Sequence, residues 1–322
     1  MTGAPPVLVV TQPDDVTADV VIGELNRRDV PVVRVDPGGF PSSVVLSARF
    51  GPDGLSGTVR SDSRTLPLNR VGSVYWRRPS PYATTDPFLP PQDVAWCMEE
   101  ARYGLGGVLA ALPGAAYVNH PFRNRAAEYK PAQLATAARC GLPVPPTLLT
   151  NDPAQAREFA RAQGRVVYKP LRATEYADAN GTALTVWVDE VEPDGIGDGV
   201  ALTAHLFQRR VPAVADLRLT AVGDELFTVR ITGSPGLDWR RHYEDLSYEL
   251  VETPRELVRG VREYLRAFGL VFGAFDFGVD GDGRPWMYEC NPNGQWAWFP
   301  EPITGRIAAA LADRLQRPGA YA

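Results

Sequence analysis

Short apolar runs and helical spacing alternate from the start of the chain. Residues 7–10 (Val-Leu-Val-Val) read as a buried strand, and residues 32–35 as a second one. Between them, residues 17–28 space Val20, Val21 and Leu25 for a helix after the turn Pro13-Asp14-Asp15. This β-α-β start predicts a small parallel sheet. A meander follows at 44–50, 55–60 and 64–68, with turns at 51–54 and 61–63. A strand at 73–76 leads into Arg77-Arg78-Pro79, and 93–112 is a long helix. The glycines of Tyr103-Gly-Leu-Gly-Gly107 are not a dinucleotide fingerprint, because they do not lie between a strand and a helix.

Asn119-His120-Pro121 closes the first domain. Residues 124–140 are amphipathic, and Pro131 must start a helix there or kink it. After the rigid connector 141–146, a strand at 147–150 precedes a helix capped by Asp152, with Pro153 at its first position. Residues 165–169 form a strand, and 171–183 a flexible loop or hairpin tip with a lid over phosphates as its sharper reading. The acidic, glycine-rich segment 190–199 reads as a solvated loop without chemistry. Residues 219–222 and 225–231 make an antiparallel hairpin turned by Gly223-Asp224, and 254–268 carry one apolar helical stripe. Strands at 275–279 and 286–291 and a closing helix at 302–315 complete the chain.

Composition narrows the function. With 322 residues, 44% hydrophobic and 22% charged, the chain is an ordinary globular protein of two or three domains. A net charge of -5 argues against non-specific nucleic-acid binding. Cys97, Cys140 and Cys290 are scattered, which fits a reduced, cytoplasmic protein, and the three histidines lack metal-type spacing. There is no basic, apolar signal segment at the start and no run long enough to span a membrane. Of 33 cationic residues only Lys130 and Lys169 are lysines, leaving 31 arginines. Both lysines sit in Tyr-Lys-Pro, which marks them as places where a compact ammonium on a flexible stem is needed.

The candidate chemistry lies in 275–298. With the turn centred on Asp282-Gly283, Asp276 faces Glu289, and Glu289 and Asn291 share a face. Two carboxylates and an amide oxygen suit Mg²⁺, which leaves positions for phosphate and water. Such a pair also occurs on the solvated face of a hairpin; Phe275, Phe277, Trp286, Met287 and Tyr288 favour a packed one. Lysines upstream and a metal pair downstream fit ATP. The chain lacks a P-loop, and Asp276-Phe277-Gly278 has no kinase catalytic loop before it.

On these residues the chain resembles the ATP-grasp superfamily and, within it, the maturases of ribosomal peptides that make graspetides, of actinobacterial type. Glu289-Cys-Asn291-Pro-Asn293-Gly294-Gln295-Trp296 is similar to their E/D-x-N-P-N-G-Q-W signature. Asp216-Leu-Arg218 with Val222-Gly-Asp224, Asp238-Trp239-Arg240 and Tyr75-Trp-Arg-Arg-Pro79 match other runs of the family. The resemblance implies an α/β (α+β) chain of ATP-grasp fold: a Rossmann-like pre-ATP-grasp domain at 1–120, a central subdomain at 121–205 and a C-terminal subdomain at 206–322.

It also implies roles. Lys130 and Lys169 hold the ATP phosphates and the adenine side, Phe207 and Gln208 are the linker clasping adenine largely by backbone, and Asp216 is a further cofactor-binding residue. Arg209 stands where many relatives carry an acidic residue. Asp276, Glu289 and Asn291 bind Mg²⁺. Arg218 and Arg240, and more weakly Arg230, face the γ-phosphate or the acceptor carboxylate. The activity implied is phosphorylation of Asp or Glu side chains of a precursor peptide, leader plus core, followed by ester closure with Ser/Thr or amide closure with Lys. A cytoplasmic homodimer with no nucleic-acid or membrane partner is expected, with a leader docking near 176–188. The rivals are an ATP-grasp ligase joining an amino acid to a small molecule or a protein C-terminus, and a leader-binding protein with a dead site.

Overall fold

The computed structural model describes residues 4–84, 86–172, 176–177, 180, 182–184, 186–233, 237 and 246–317. The first unit follows from its β-α-β start. Strand β1 (Val7–Val10) leads to helix α1 (Val16–Arg27), whose N-terminus Asp15 caps by accepting from the Ala18 amide, and then to β2 (Val32–Val35). The meander is β3 (Val45–Gly51), β4 (Gly54–Arg60) and β5 (Thr65–Pro67). Then come β6 (Ser73–Trp76), α2 (Pro91–Ala110) and β7 (Ala116–Val118). The parallel sheet runs β2-β1-β6-β7. All four residues of β1 are buried, as expected of a parallel strand covered on both faces.

The amphipathic stretch at 124–140 falls in two helices, α3 (Pro121–Ala127) and α4 (Lys130–Arg139). Pro131 lies in the first turn of α4, where its missing N–H costs nothing. A four-stranded antiparallel sheet follows, built from β8 (Thr147–Thr150), β9 (Val166–Lys169), and later strands, with α5 (Pro153–Gln163) against it. A two-residue hairpin, β10 (Tyr176–Ala177) with β11 (Ala183–Leu184), precedes β12 (Asp189–Val191) and β13 (His205–Arg209). Here the reading of 190–199 needs correction. Glu190 lies in β12 and pairs with Arg165 and Arg210 at 2.5 and 2.8 Å, while Ile196 and Val200 pack under α5.

The last unit is a five-stranded antiparallel sheet of order β16-β15-β14-β17-β18. Its strands are β14 (Ala215–Val222), β15 (Glu225–Thr232), β16 (Ser247–Val251), β17 (Phe272–Val279) and β18 (Pro285–Asn291). Helix α6 (Arg255–Phe268) covers one face, burying Leu257, Val261, Tyr264 and Leu265 against Phe275, Phe277 and Met287. Helix α7 (Glu301–Gln316) is more than a closing element. Ile303, Ile307 and Leu311 share one core with Val7, Val9 and Tyr75 of the first sheet and Val222 and Phe272 of the last. Among the described residues no helix is long and apolar enough to cross a membrane.

Candidate active site

Strand β17 divides its residues by size. Phe275 and Phe277 point to α6, so Ala274, Asp276 and Gly278 point to the opposite face, where two small neighbours leave Asp276 accessible to other side chains. Arg218 of β14 lies directly across from Asp276 on one side, and Glu289 of β18 on the other. Cation, carboxylate and carboxylate therefore stand in a row across three strands. The facing of Asp276 and Glu289 depends on a bulge. From Val279↔Pro285 to Phe277↔Met287 the register would set Tyr288 opposite Asp276, and the extra residue shifts Glu289 into that place. The same bulge lets Tyr288 and Glu289, consecutive in sequence, both line one cavity.

That cavity has a volume of ≈ 900 Å³. Lys130, Lys169, Gln208, Asp216, Arg218, Asp276, Glu289 and Asn291 all line it. Arg218 Nη1 donates to both oxygens of Asp276 at 2.7 and 2.8 Å, and its Nη2 donates to the Gln295 carbonyl at 3.0 Å. Lys130, at the start of α4, reaches Glu289 at 3.0 Å. The Asn291 amide donates to Glu289 at 3.1 Å and to Asp276 at 3.4 Å. Lys169, at the end of β9, holds its ammonium 4.4 Å from the centre of the Tyr288 ring. Burial, with the nearby Asp216 carboxylate, pushes the Tyr288 phenol well above its usual range, so it is a neutral donor.

Not every expected residue joins this set. Phe207 does not: its side chain packs with Ala156, Ala160 and Val166 under α5, and β13 is paired on both edges, with β8 and β9. The connector residues that line the cavity are instead Arg209, Arg210 and Val211. Arg230 does not either. It lies across from Leu217, so it shares Leu217's face of the sheet, opposite to Arg218. Arg240 lies outside the described residues, as does part of the expected lid and leader hairpin.

Several contributors were not singled out from sequence. The 291–295 loop is held from the first unit and from α3 and α4. Arg77, buried beside Asp15 at 3.2 Å, donates to the carbonyls of Asn293 and Gly294 at 3.0 and 3.2 Å. The Asn119 side chain accepts from Val271 and Phe272 amides at 2.7 and 2.8 Å and donates to the carbonyls of Phe272 and Pro292 at 2.9 and 3.1 Å. Asn124 donates to the Asn293 side chain at 3.0 Å, and Gln133 brackets Cys290 with bonds of 2.9 and 3.0 Å. Gly294 permits the close approach. A Cβ there would lie 2.5 Å from Ala274 Cβ and 2.8 Å from Arg218 Nη2. The Tyr75–Pro79 and Asn291–Gln295 runs were visible as motifs, but nothing local showed that one grips the other.

The donor set can be tested against a metal. Among the described residues no three His, Cys, Asp or Glu side chains group for one. Two carboxylates and an amide oxygen remain, all hard donors. They fit Mg²⁺, which completes its shell with phosphate and water.

Comparison with known proteins agrees with this architecture. The MvdD pre-ATP-grasp domain model matches residues 6–125. Curated protein sequences give no match. A RiPP-associated ATP-grasp ligase of Chryseobacterium gregarium, solved with ADP and a leader and core peptide, superposes with a TM-score of 0.88 at 22% identity, covering 98% of this chain and 97% of that one. The macrocyclase MdnC of Microcystis aeruginosa MRC, bound with the precursor peptide MdnA, gives 0.85 at 25% identity, covering 96% and 99%. The ATP-grasp ligase PsnB, solved with a minimal precursor, Mg and ADP, gives 0.75 at 24% identity, covering 98% of each chain. The chain has an ATP-grasp fold with a pre-ATP-grasp domain at its N-terminal end.

Proposed function

We propose that this chain is an ATP-dependent carboxylate ligase that activates Asp or Glu side chains of a ribosomal precursor peptide and closes them onto Ser/Thr hydroxyls as esters, or onto Lys amines as amides. The observation that carries this reading is the row Arg218–Asp276–Glu289–Lys130 across one cavity, in a chain that superposes over nearly its whole length on a peptide-bound macrocyclase. Asp276, Glu289 and Asn291 would hold Mg²⁺, with the Asn291 amide turned oxygen-inward. When bound there, Mg²⁺ offsets and orients negative phosphate oxygens. Lys130 would pass from Glu289 to a phosphate of ATP, and Lys169 would serve as a second point charge. Arg218 holds Asp276 in place by donating to both of its oxygens. The connector at 209–211, rather than Phe207, would meet adenine.

In the reaction a peptide carboxylate oxygen bonds to the γ-phosphorus, and the bond from that phosphorus to ADP breaks. The hydroxyl oxygen of the acceptor then bonds to the acyl carbon, phosphate leaves, and the hydroxyl proton passes to solvent or phosphate. Charge spread over oxygens is stabilised by the lysines and arginines that line the cavity. We assign residues 1–120, 121–205 and 206–322 to the pre-ATP-grasp, central and C-terminal units. A cytoplasmic homodimer of actinobacterial type completes the reading, and the three cysteines, all free thiols, fit a reducing compartment.

Oxygen-18 placed in the acidic side chains of the peptide encoded beside this chain tests the chemistry. One labelled oxygen should appear in phosphate for each link closed. Product formed with unlabelled phosphate would exclude acyl-phosphate activation.

A further inference from the structure

We propose that Arg78, from the first unit of the chain, binds the carboxylate of the acidic peptide side chain to be activated; this rests on the ligase reading above. The tandem Arg77-Arg78 divides its labour. Arg77 turns inward and is buried against Asp15 and the 293–294 carbonyls. Arg78 turns the other way and lines the cavity. Its backbone is pinned on both sides: the amide donates to Thr11 Oγ1 at 3.4 Å, and the carbonyl accepts from the Gln12 amide at 2.9 Å. A flexible side chain therefore hangs from a fixed point.

That point is next to the reacting groups. Arg77 holds Gly294, and the following residue, Gln295, accepts from Arg218. Arg78 and Arg218 thus flank one loop, and Arg218 grips Asp276. The other cations of the cavity are engaged. Arg218 spends both terminal nitrogens on Asp276 and Gln295, Lys130 faces Glu289, Arg210 faces Glu190, and Arg209 lies 5.1 Å from the Trp286 ring centre. Arg125 and Arg172 have the Glu128 carboxylate in their field. The Arg78 guanidinium makes no ion pair among the described residues; the Asp15 carboxylate, whose charge reaches it, is bonded to Arg77. Desolvation, and then the adjacent Arg77, lower the Arg78 guanidinium from its ordinary value, although the residue as a whole is exposed. It remains a full cation, and an incoming anion relieves that repulsion. A guanidinium matches a carboxylate in a two-bonded fork, whereas the two lysines suit phosphate as point charges.

The test uses the full chain and the R78K and R78Q variants. KM and kcat are measured for dehydration of the acidic peptide encoded beside the chain, and Kd for AMPPNP with Mg²⁺ is measured by calorimetry. R78Q should raise the peptide KM by roughly tenfold to a hundredfold, the loss of one charged hydrogen-bonded contact. R78K should fall between it and wild type, because it keeps the charge but loses the fork. AMPPNP affinity should stay within about twofold, since the contact is to peptide. An unchanged peptide KM would overturn the assignment. So would AMPPNP binding weakened in parallel, which would make Arg78 a phosphate ligand. An active wild type with an unaffected R78Q contradicts this inference alone. A wild type that leaves the peptide unchanged removes the ligase reading and the inference with it.

Discussion

Replacing Arg77 by Met should both destabilise the chain and loosen its site. Arg77 and Asp15 side chains are each 1% exposed; both belong to the first unit, and Arg77 also reaches the Asn293 and Gly294 carbonyls of the last. Met keeps much of the apolar stem but strands three acceptors: the Asp15 carboxylate and the carbonyls of Asn293 and Gly294. Removing one partner of a buried pair costs about 3–5 kcal/mol, chiefly because the other charge remains without compensation. Thr11 and the Ala18 amide still bond Asp15, at 2.7 and 3.3 Å, which places the expectation near the lower end. For cooperative unfolding of 322 residues, ~3 kcal/mol corresponds to a fall in Tm of roughly 4 °C. The double variant D15N/R77M should recover part of that loss, since no buried charge is left unpaired. Thermal melts of the two single variants, the double variant and wild type close the cycle. An R77M chain that melts within about 1 °C of wild type would refute the claim that this pair anchors the loop.

Other perturbations follow from the same geometry. G294A should lower turnover more than stability: its Cβ meets Ala274 and Arg218, an overpacking cost of about 1–3 kcal/mol taken up by displacing Arg218 from Asp276, and turnover with melting checks it. N119A strands four backbone groups, three of them in fully buried bonds, and should cost about 3 kcal/mol or more, read by chemical denaturation. Asp15 contributes a pH dependence. Burial acts to raise its carboxyl, but Arg77 and the bonds from Thr11 and Ala18 outweigh it, so the folded value lies below the usual one. Its stabilisation is complete above the unfolded pKa of about 3.9 and is lost as pH falls through the folded value. The Tm gap between wild type and D15N should therefore shrink as pH drops below about 4.

Much of this site was legible, and the failures have identifiable causes. Asp276 was expected to face Glu289 from a turn centred on Asp282-Gly283. The hairpin instead reaches that facing through a bulge at Tyr288, which no alternation of apolar residues announces. Arg230 is a failure of counting. With Val222↔Glu225 fixed by the Gly223-Asp224 turn, Leu217, not Arg218, must face Arg230, so parity alone assigns it to the wrong side. The two Tyr-Lys-Pro triplets look alike in sequence, yet one starts a helix and the other ends a strand, because the residues after Lys130 and before Lys169 decide the backbone. Phe207 came from the resemblance as a residue clasping adenine largely by backbone; its side chain is buried in the central unit, which no local pattern separates from an exposed connector. The grips of Arg77, Asn119 and Asn124 on the 291–295 loop join positions far apart in the chain, and local pattern carries no trace of them.

The most direct measurement is mass spectrometry of the acidic peptide encoded beside this chain after incubation with the protein, ATP and Mg²⁺. The account predicts loss of one water mass per link formed, dependence on ATP, and no loss with E289Q. A peptide of unchanged mass, with ATP still hydrolysed when free amino acids are supplied, would contradict it and point to a ligase of small molecules.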